Sequence, residues 1–492
     1  MLDMKQVPDT RVQVVNDAPF NGQADFVLYW MIASRRATWN FALQRAVGWA
    51  EELGKPLLVL EALRAGYRWA SDRFHRFIID GMADNARAFA DTDILYYPYV
   101  ERSADAGKGL LQALSKKAAV VVTDEFPCFM LPSMVSAAAQ QVAVRMETVD
   151  GNGLLPLRAA EGRVYPTAFA FRRFVHKTLP DHIAAIPKKS PLRGVDLPRL
   201  RGLPAEIRQQ WPRASKALLA GKGDGLASIP IDHSVPPVSY RGGSRAASTL
   251  LKRFVTRNLD RYADDRNDID ETPTSGLSPY LHFGHVSSHE IFTRTAAREE
   301  WNPGKTFAKA ISRRRGWWGM SESAEAFLDQ LVTWRELGYN MTFHRKDYDR
   351  YGSLPPWARE TLDEHAKDRR PHGYSLHQFE EAKTHDELWN AAQRELVDEG
   401  KIHNYLRMLW GKKILEWSRS PRKALDIMIE LNNKYGVDGR NPNSYSGIFW
   451  TLGRYDRPWG PERPIFGKIR YMSSENTARK IRVDNYINRR YP

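Results

Sequence analysis

From Phe26 to Gly151, short apolar runs alternate with amphipathic stretches, and this alternation is what most restricts the possible folds. FVLYWM (26–31) reads as a buried strand, and the segment from Ser34 to Gly54 follows with apolar residues at helical spacing and a glycine stop. The pattern then repeats: PLLVLEAL, a helix over 71–90, ILYYPYV, the helix GKGLLQALSKKA, and AVVVTDEF. A short strand in QVAVRMETVDG closes the series near residue 150. Strands separated by single helices must lie side by side as βαβ units, so this half predicts a parallel sheet covered on both faces. The first twenty or so residues are polar, lack an apolar leader core, and read as a tail without a secretory signal.

From about 180 to 245 proline, glycine and basic residues dominate, as in PKKSPLRGVDLPRLRGLP, which predicts an ordered connector running over the surface. From Ser244 onward the pattern is helical nearly to the end, and 10 of the 15 tryptophans lie at position 301 or later. RRRGWWGM (313–320) is a basic, aromatic island between helices. Lys and Arg total 73 against 58 Asp and Glu, a formal charge of +15 that favours a polyanionic partner. A single cysteine, Cys128, excludes an internal disulfide and any multi-cysteine metal site, and no run approaches the ~20 apolar residues of a membrane-spanning helix.

The α/β half carries neither GxGxxG after its first strand nor GxxxxGK[ST] nor GxSxG. It therefore reads either as a structural domain or as one with a weak ligand site at the strand C-termini. TPTSGLSPYLHFGHVS (272–287) sets Thr274, Ser275 and Ser278 around Gly276 ahead of an apolar run, which suits either a helix cap or a phosphate at a helix N-terminus. Trp410 and Trp417 stand seven residues apart, on one helical face with roughly 10 Å of axial separation, and Trp389 lies on the preceding helix. Such spacing is normally core packing; the other reading is a relay of indoles carrying electrons to a redox cofactor. Toward the C-terminus Asp438, Gly439, Arg440, Asn441 and Asn443 form a polar turn. Trp450, Tyr455, Trp459 and Tyr471 there interleave with Arg454, Arg457, Arg463, Lys468 and Arg470. Cations for phosphates beside aromatic faces for unstacked bases suit distorted nucleic acid.

These segments together resemble the photolyase/cryptochrome family, most closely its class II cyclobutane pyrimidine dimer photolyases. The resemblance rests on FVLYWM and its helix, RND (266–268), TSGLSPYLHFG (274–284), the stretch 383–417, LNNKYGVDGRNPN, DRPW and GKIRYM. It implies an α/β plus all-α protein: a flexible tail over 1–22, a Rossmann-like antenna-type domain over 23–178, a connector over 179–243, and a helical FAD-binding domain over 244–492. It implies a carbon–carbon lyase in which reduced, light-excited FADH⁻ injects an electron into a pyrimidine dimer flipped out of DNA. Class II members also suggest a deazaflavin antenna such as 8-hydroxy-5-deazaflavin, which nothing in the first 150 residues independently calls for. A monomeric, cytoplasmic protein follows from the same likeness.

Residue by residue, the resemblance assigns Thr274, Ser275, Gly276, Leu277 and Ser278 to the FAD phosphates. Tyr262, Arg266 and Asn267 line the flavin and dimer pocket, and Asn432 faces flavin N5. Arg407 and Asp438 form an ion pair beside the flavin ring, continued by Asn443. Trp410 is the relay tryptophan nearest the flavin, while sequence leaves the order of Trp389 and Trp417 open. Met408, Trp334 and Trp450 contact the extruded dimer, and Arg457 and Trp459 fill the gap it leaves. One position departs from the pattern: Gln330 stands where class I and II members usually carry a glutamate that binds the dimer, with Asp329 beside it. A glutamine can donate to a carbonyl and accept from an N–H, but it holds no charge. Gln is more usual in the (6-4) photolyase and animal cryptochrome branches. The alternatives are therefore a changed lesion preference, such as the (6-4) photoproduct, or a cryptochrome-like FAD photoreceptor.

Overall fold

A computed structural model describes residues 7–223, 225–270, 274–306 and 308–490; Thr272 and Pro273 of the serine-rich run, and residues 1–6 of the expected tail, lie outside them. Two compact units interleave along the chain, in place of the single divisions near 178 and 244 that the sequence suggests. The first takes the chain to Glu161, Thr178–Arg253 and Gly276–Arg298; the second takes Gly162–Lys177, Phe254–Ser275 and the remainder from Glu299.

The first unit is built on a six-stranded sheet of β1 (Val12–Val14), β2 (Phe26–Met31), β3 (Leu57–Leu63), β4 (Leu95–Val100), β5 (Ala118–Glu125) and β6 (Met146–Asp150). The spatial order is β1-β6-β5-β2-β3-β4, parallel except for β1, which pairs antiparallel with β6. All six residues of β2 are buried because both faces are covered. Val27, Tyr29 and Met31 enter one core with the helix Phe41–Leu53, while Phe26, Leu28 and Trp30 enter the opposite core with Tyr97 and Trp211. That split is the two-residue period of a strand. β1 corrects the expected tail: Val12–Val14 forms an edge strand, and Arg11 before it is buried, donating to the backbone carbonyls of Asp150 and Leu154. An eleven-residue helix, Leu131–Gln141, lies between β5 and β6 where no helix was expected. The connector wraps the sheet, with Leu203, Ile207 and Trp211 filling one core and the Tyr97 hydroxyl donating to the Trp211 carbonyl.

The second unit is helical. Its central element is a continuous run made of Glu322–Leu328, a π-helical segment Asp329–Trp334, and Arg335–His344. The helices Glu387–Glu399, Asn404–Trp417, Pro421–Tyr435 and Pro442–Thr451 follow. Three of the four starts are set by side-chain caps: Asp386 accepts from the Trp389 N–H, Ser420 from Lys423, and Asn441 from Asn443. Gly338 allows Arg335–His344 and Pro442–Thr451 to cross closely, since a Cβ there would stand 2.7 Å from the Pro442 carbonyl oxygen. No helix among the described residues is long and apolar enough to cross a membrane.

Candidate functional site

The switch point of a doubly wound sheet, between β2 and β5 here, is the usual place for a ligand because free backbone N–H groups gather there. In this chain the N–H groups of Ile32, Ala33 and Ser34 all donate to Asp124 Oδ2 on β5, at 2.9, 2.8 and 3.0 Å, and the Tyr29 hydroxyl donates to Oδ1 at 2.8 Å. An internal carboxylate thus occupies the donors that a phosphate would use. This accounts for the missing glycine fingerprint and favours the structural reading of that position.

The second unit gathers the aromatic and polar groups that the sequence singled out. Trp389, Trp410 and Trp417 are all buried. The Trp389 indole N–H donates to the Trp410 carbonyl at 3.0 Å, and its ring meets that of Trp417 edge-on, with centroids 5.9 Å apart and planes at 71°. Trp389 thus touches both of the others, Trp417 through its ring and Trp410 through that residue's backbone carbonyl. The Trp410 indole donates to Gln393 Oε1 at 2.8 Å. Beyond Trp417 lie Tyr374 and His385, with centroids 5.6 and 5.0 Å away, and Phe379 packs against both Trp389 and Trp417. None of Gln393, Tyr374, Phe379 or His385 carried a sequence signal, because each reaches the indoles through tertiary packing.

At the start of the same helix, Arg407 Nη2 lies 3.2 Å from Asp438 Oδ1, forming the expected ion pair, and Met408 beside it is half-buried. Asn432 is buried; its amide nitrogen donates to Asn433 Oδ1 at 3.0 Å and Ser444 Oγ at 2.8 Å. Those two bonds fix the amide and leave Oδ1 without a hydrogen bond among the described residues. The Asn432 carbonyl accepts from the Gly436 N–H, drawing the Asp438 turn toward it, whereas Asn443 is exposed and only its backbone is held, by Asn441. Tyr262 is buried against Phe254 and Phe327, the latter on the helix leading to Gln330; burial raises its pKa, opposed by Arg266. The Arg266 carbonyl lies 3.1 Å from His403 Nε2 at the head of the Asn404–Trp417 helix, and Asn267 is exposed. The serine-rich run divides between the units, Thr274 and Ser275 in the second and Gly276, Leu277 and Ser278 in the first. Gly276 adopts a left-handed φ of 63°, and the following helix Ser278–His282 is five residues long with no side-chain cap from Leu277.

Gln330 and Trp334 lie on the π-helical segment, both half-buried, and the Gln330 amide makes no hydrogen bond among the described residues. Its neighbour Asp329 is held by Arg172 through two bonds, 2.8 and 3.1 Å long. Trp459 is flanked by the Arg457 and Arg470 guanidinium groups, 4.4 and 4.0 Å from its ring centre, and its indole donates to Asp456 at 3.2 Å. Trp450, also half-buried, has the Lys412 ammonium 5.1 Å from its ring centre. Lys412 itself is fully buried and donates to the Thr451 carbonyl; burial brings its pKa down to about 7. Its position against Trp450 is invisible in a run that reads simply as WGKKILEW.

The chain is 33% identical over 481 residues to a deoxyribodipyrimidine photo-lyase of Methanothermobacter thermautotrophicus, covering 97% of each chain. Relatives of the same name in Arabidopsis thaliana and Potorous tridactylus are 33% and 32% identical, over 94% and 97% of this chain and 88% and 83% of theirs. The chain belongs to the deoxyribodipyrimidine photo-lyase family. No family model matches it. A bacterial class III photolyase from Agrobacterium tumefaciens has the same fold, with a TM-score of 0.67 over 95% of this chain and 86% of that one at 19% identity. For a photolyase of this architecture, the α/β plus helical arrangement expected from sequence is the observed one.

Proposed function

We propose that this photolyase-family enzyme is a light-driven DNA repair flavoprotein of the class II kind, which splits cyclobutane pyrimidine dimers in UV-damaged DNA using FAD in its reduced form. The observation that carries the reading is the file of touching groups Trp410–Trp389–Trp417, buried at Trp410 and followed past Trp417 by the partly exposed Tyr374. Trp389 meets the Trp417 ring edge-on and reaches Trp410 at its backbone carbonyl, which brings the three residues together in the buried interior of one unit.

The residues fit a flavin. Asn432 Oδ1 is a fixed acceptor with no partner of its own, suited to a ring N–H and neutral in every redox state of that ring. Arg407 and Asp438 supply a polar edge, with Asn443 beyond it, while Tyr262, Thr274 and Ser275 of the same unit are candidates for further cofactor contacts. When bound, the flavin supplies light absorption and one-electron donation. The protein supplies the setting: Trp417, Trp389 and Trp410 pass an electron inward ring by ring. Gln330 offers an N–H to a lesion carbonyl and an oxygen to a lesion N–H, with Trp334, Met408 and Trp450 against the extruded bases. Arg457 and Trp459 fill the gap in the duplex, and Arg266 and Asn267 border the opening. Gln330 also favours a second reading, in which the lesion is the (6-4) photoproduct or the protein is a photoreceptor without repair activity.

One experiment separates these readings. The full chain is loaded with FAD, photoreduced, and illuminated with oligonucleotides carrying a cyclobutane dimer or a (6-4) product. Restoration of the cyclobutane dimer is the expected result. Restoration of the (6-4) product alone moves the substrate, and restoration of neither with normal photoreduction removes the repair reading.

A further inference from the structure

The island Arg313–Met320 is a built loop. Glu325, buried at the start of the central helical run, accepts from the backbone N–H groups of Gly316, Gly319 (2.9 Å) and Met320 (3.3 Å). Trp317 and Trp318 are buried beneath it, and the Trp317 ring stacks on His176 at 4.0 Å with planes 6° apart. Burial lowers the pKa of His176 to about 4, assisted by Arg172, so the ring is neutral and accepts the Ser312 N–H at Nδ1. A loop anchored this thoroughly loses little entropy when its outer side chains engage a ligand.

Those outer side chains are cations. Arg313, Arg314 and Arg315 are exposed, and only Arg315 has a carboxylate, in an exposed pair with Glu322 that contributes little. Arg313 and Arg314 make no ion pair among the described residues. On the helix that carries His176, Arg173 and Lys177 are also exposed and without an ion pair among the described residues. Arg313 and Arg314 line one water-sized cavity of about 10 Å³ together with Asp329 and Thr333 of the π-helical segment, so the loop stands beside the stretch that bears Gln330. Glu325 precedes Gln330 by five residues, an axial offset of roughly 7 Å, or about two base steps along one DNA strand.

We propose that Arg313 and Arg314, with Arg173 and Lys177 of the helix that carries His176, grip the phosphate backbone of the duplex flanking the lesion. Guanidinium groups presented in pairs from a rigid loop match phosphate oxygens two at a time. The assignment rests on the DNA-binding reading above, and extends it to a loop whose composition had no explanation.

The test is equilibrium binding of the FAD-loaded full chain to duplexes with and without a dimer, between 50 and 200 mM salt. The Arg313→Ala/Arg314→Ala double variant is expected to flatten the slope of log K against log salt by about 1 to 2. Affinity falls by the same factor for damaged and undamaged DNA, with photoreduction unchanged; Arg313→Lys/Arg314→Lys retains the slope. An unchanged slope in the alanine variant overturns the phosphate contact and leaves the arginines to an acidic protein partner. A loss of lesion preference without a change of slope overturns it as well. If the unsubstituted protein shows no salt-dependent DNA binding, the DNA-repair reading itself fails, a result distinct from failure of the loop alone.

Discussion

In the first unit, Arg35 meets Glu61 at 3.0 Å and Arg45 meets Glu147 at 2.7 Å, both carboxylates fully buried, and Asp124 absorbs three backbone N–H groups and a phenol. In the second, the Gln330 side-chain amide and Asn432 Oδ1 have no hydrogen-bond partner among the described residues, and Trp334, Met408 and Trp450 are left half-buried. Buried polar groups are nearly always satisfied within a protein, so a cluster that is not marks where something else supplies the contact. At these positions the first unit closes its polar groups on themselves as scaffold does; under the function proposed above, the second keeps Gln330 and Asn432 for a ligand.

The sharpest way to test that contrast is to cut the second unit's file of indoles at Trp389. Trp389→Phe retains an aromatic ring but removes the indole and its bond to the Trp410 carbonyl. Photoreduction of bound FAD, followed by absorbance under blue light with an external reductant, should fall to near zero while FAD stays bound. Persistence at the wild-type rate means electrons reach Trp410 by another route.

The next largest effect belongs to the first unit and should appear in stability. Glu147 accepts from Arg45 at 2.7 and 3.0 Å, Trp49 at 2.9 Å and Arg145 at 2.8 Å. Burial pushes its carboxyl pKa up, but these bonds outweigh burial and hold it below its ordinary value. A carboxylate lowered in the fold contributes fully above its unfolded pKa near 4.5, and that contribution is lost as pH falls through the folded value. Glu147→Gln leaves Arg45 without a buried counter-charge and should cost about 3–5 kcal/mol in urea unfolding near neutral pH. Photoreduction by the folded fraction should be unchanged; a matching loss there would break the division of labour.

The smallest expected effect is at Gln330. Restoring the carboxylate with Gln330→Glu replaces a neutral hydrogen bond to the lesion by a charge-assisted one, a gain of about 1 kcal/mol or roughly fivefold in cyclobutane dimer repair rate. An unchanged rate removes the significance attached to that departure.

How far these features were legible follows the distance over which each is encoded. The six apolar residues of β2 and the seven-residue spacing of Trp410 and Trp417 are local, and both stand as read. The Arg407–Asp438 pair came through the family motif. β1 escaped because three residues in a polar stretch become a strand only through pairing with residues 147–149, far along the chain. Asp124 reads as one more acid at a strand end, and nothing local says that the turn after β2 will use it as its anion. That Trp389 touches both Trp410 and Trp417 depends on how two helices pack, which no spacing within either helix contains.

The π-helical segment Asp329–Trp334 was equally hidden, since its longer hydrogen-bond step has no residue signature. Its consequence is one of phase. Each residue of an α-helix turns the chain by about 100°, so a stretch that fits an additional residue into a turn shifts every side chain after it by that angle. Deleting one residue between 329 and 334 would let the run 322–344 straighten into an ordinary helix with Arg335–His344 still in register with Pro442–Thr451, whereas the undeleted run wound as a plain α-helix would turn that stretch by about 100°. The segment therefore acts as a vernier between two surfaces. Glu325 and Asp329 can be tuned to the loop and to Arg172 on one side of it, while Gly338 keeps its crossing on the other.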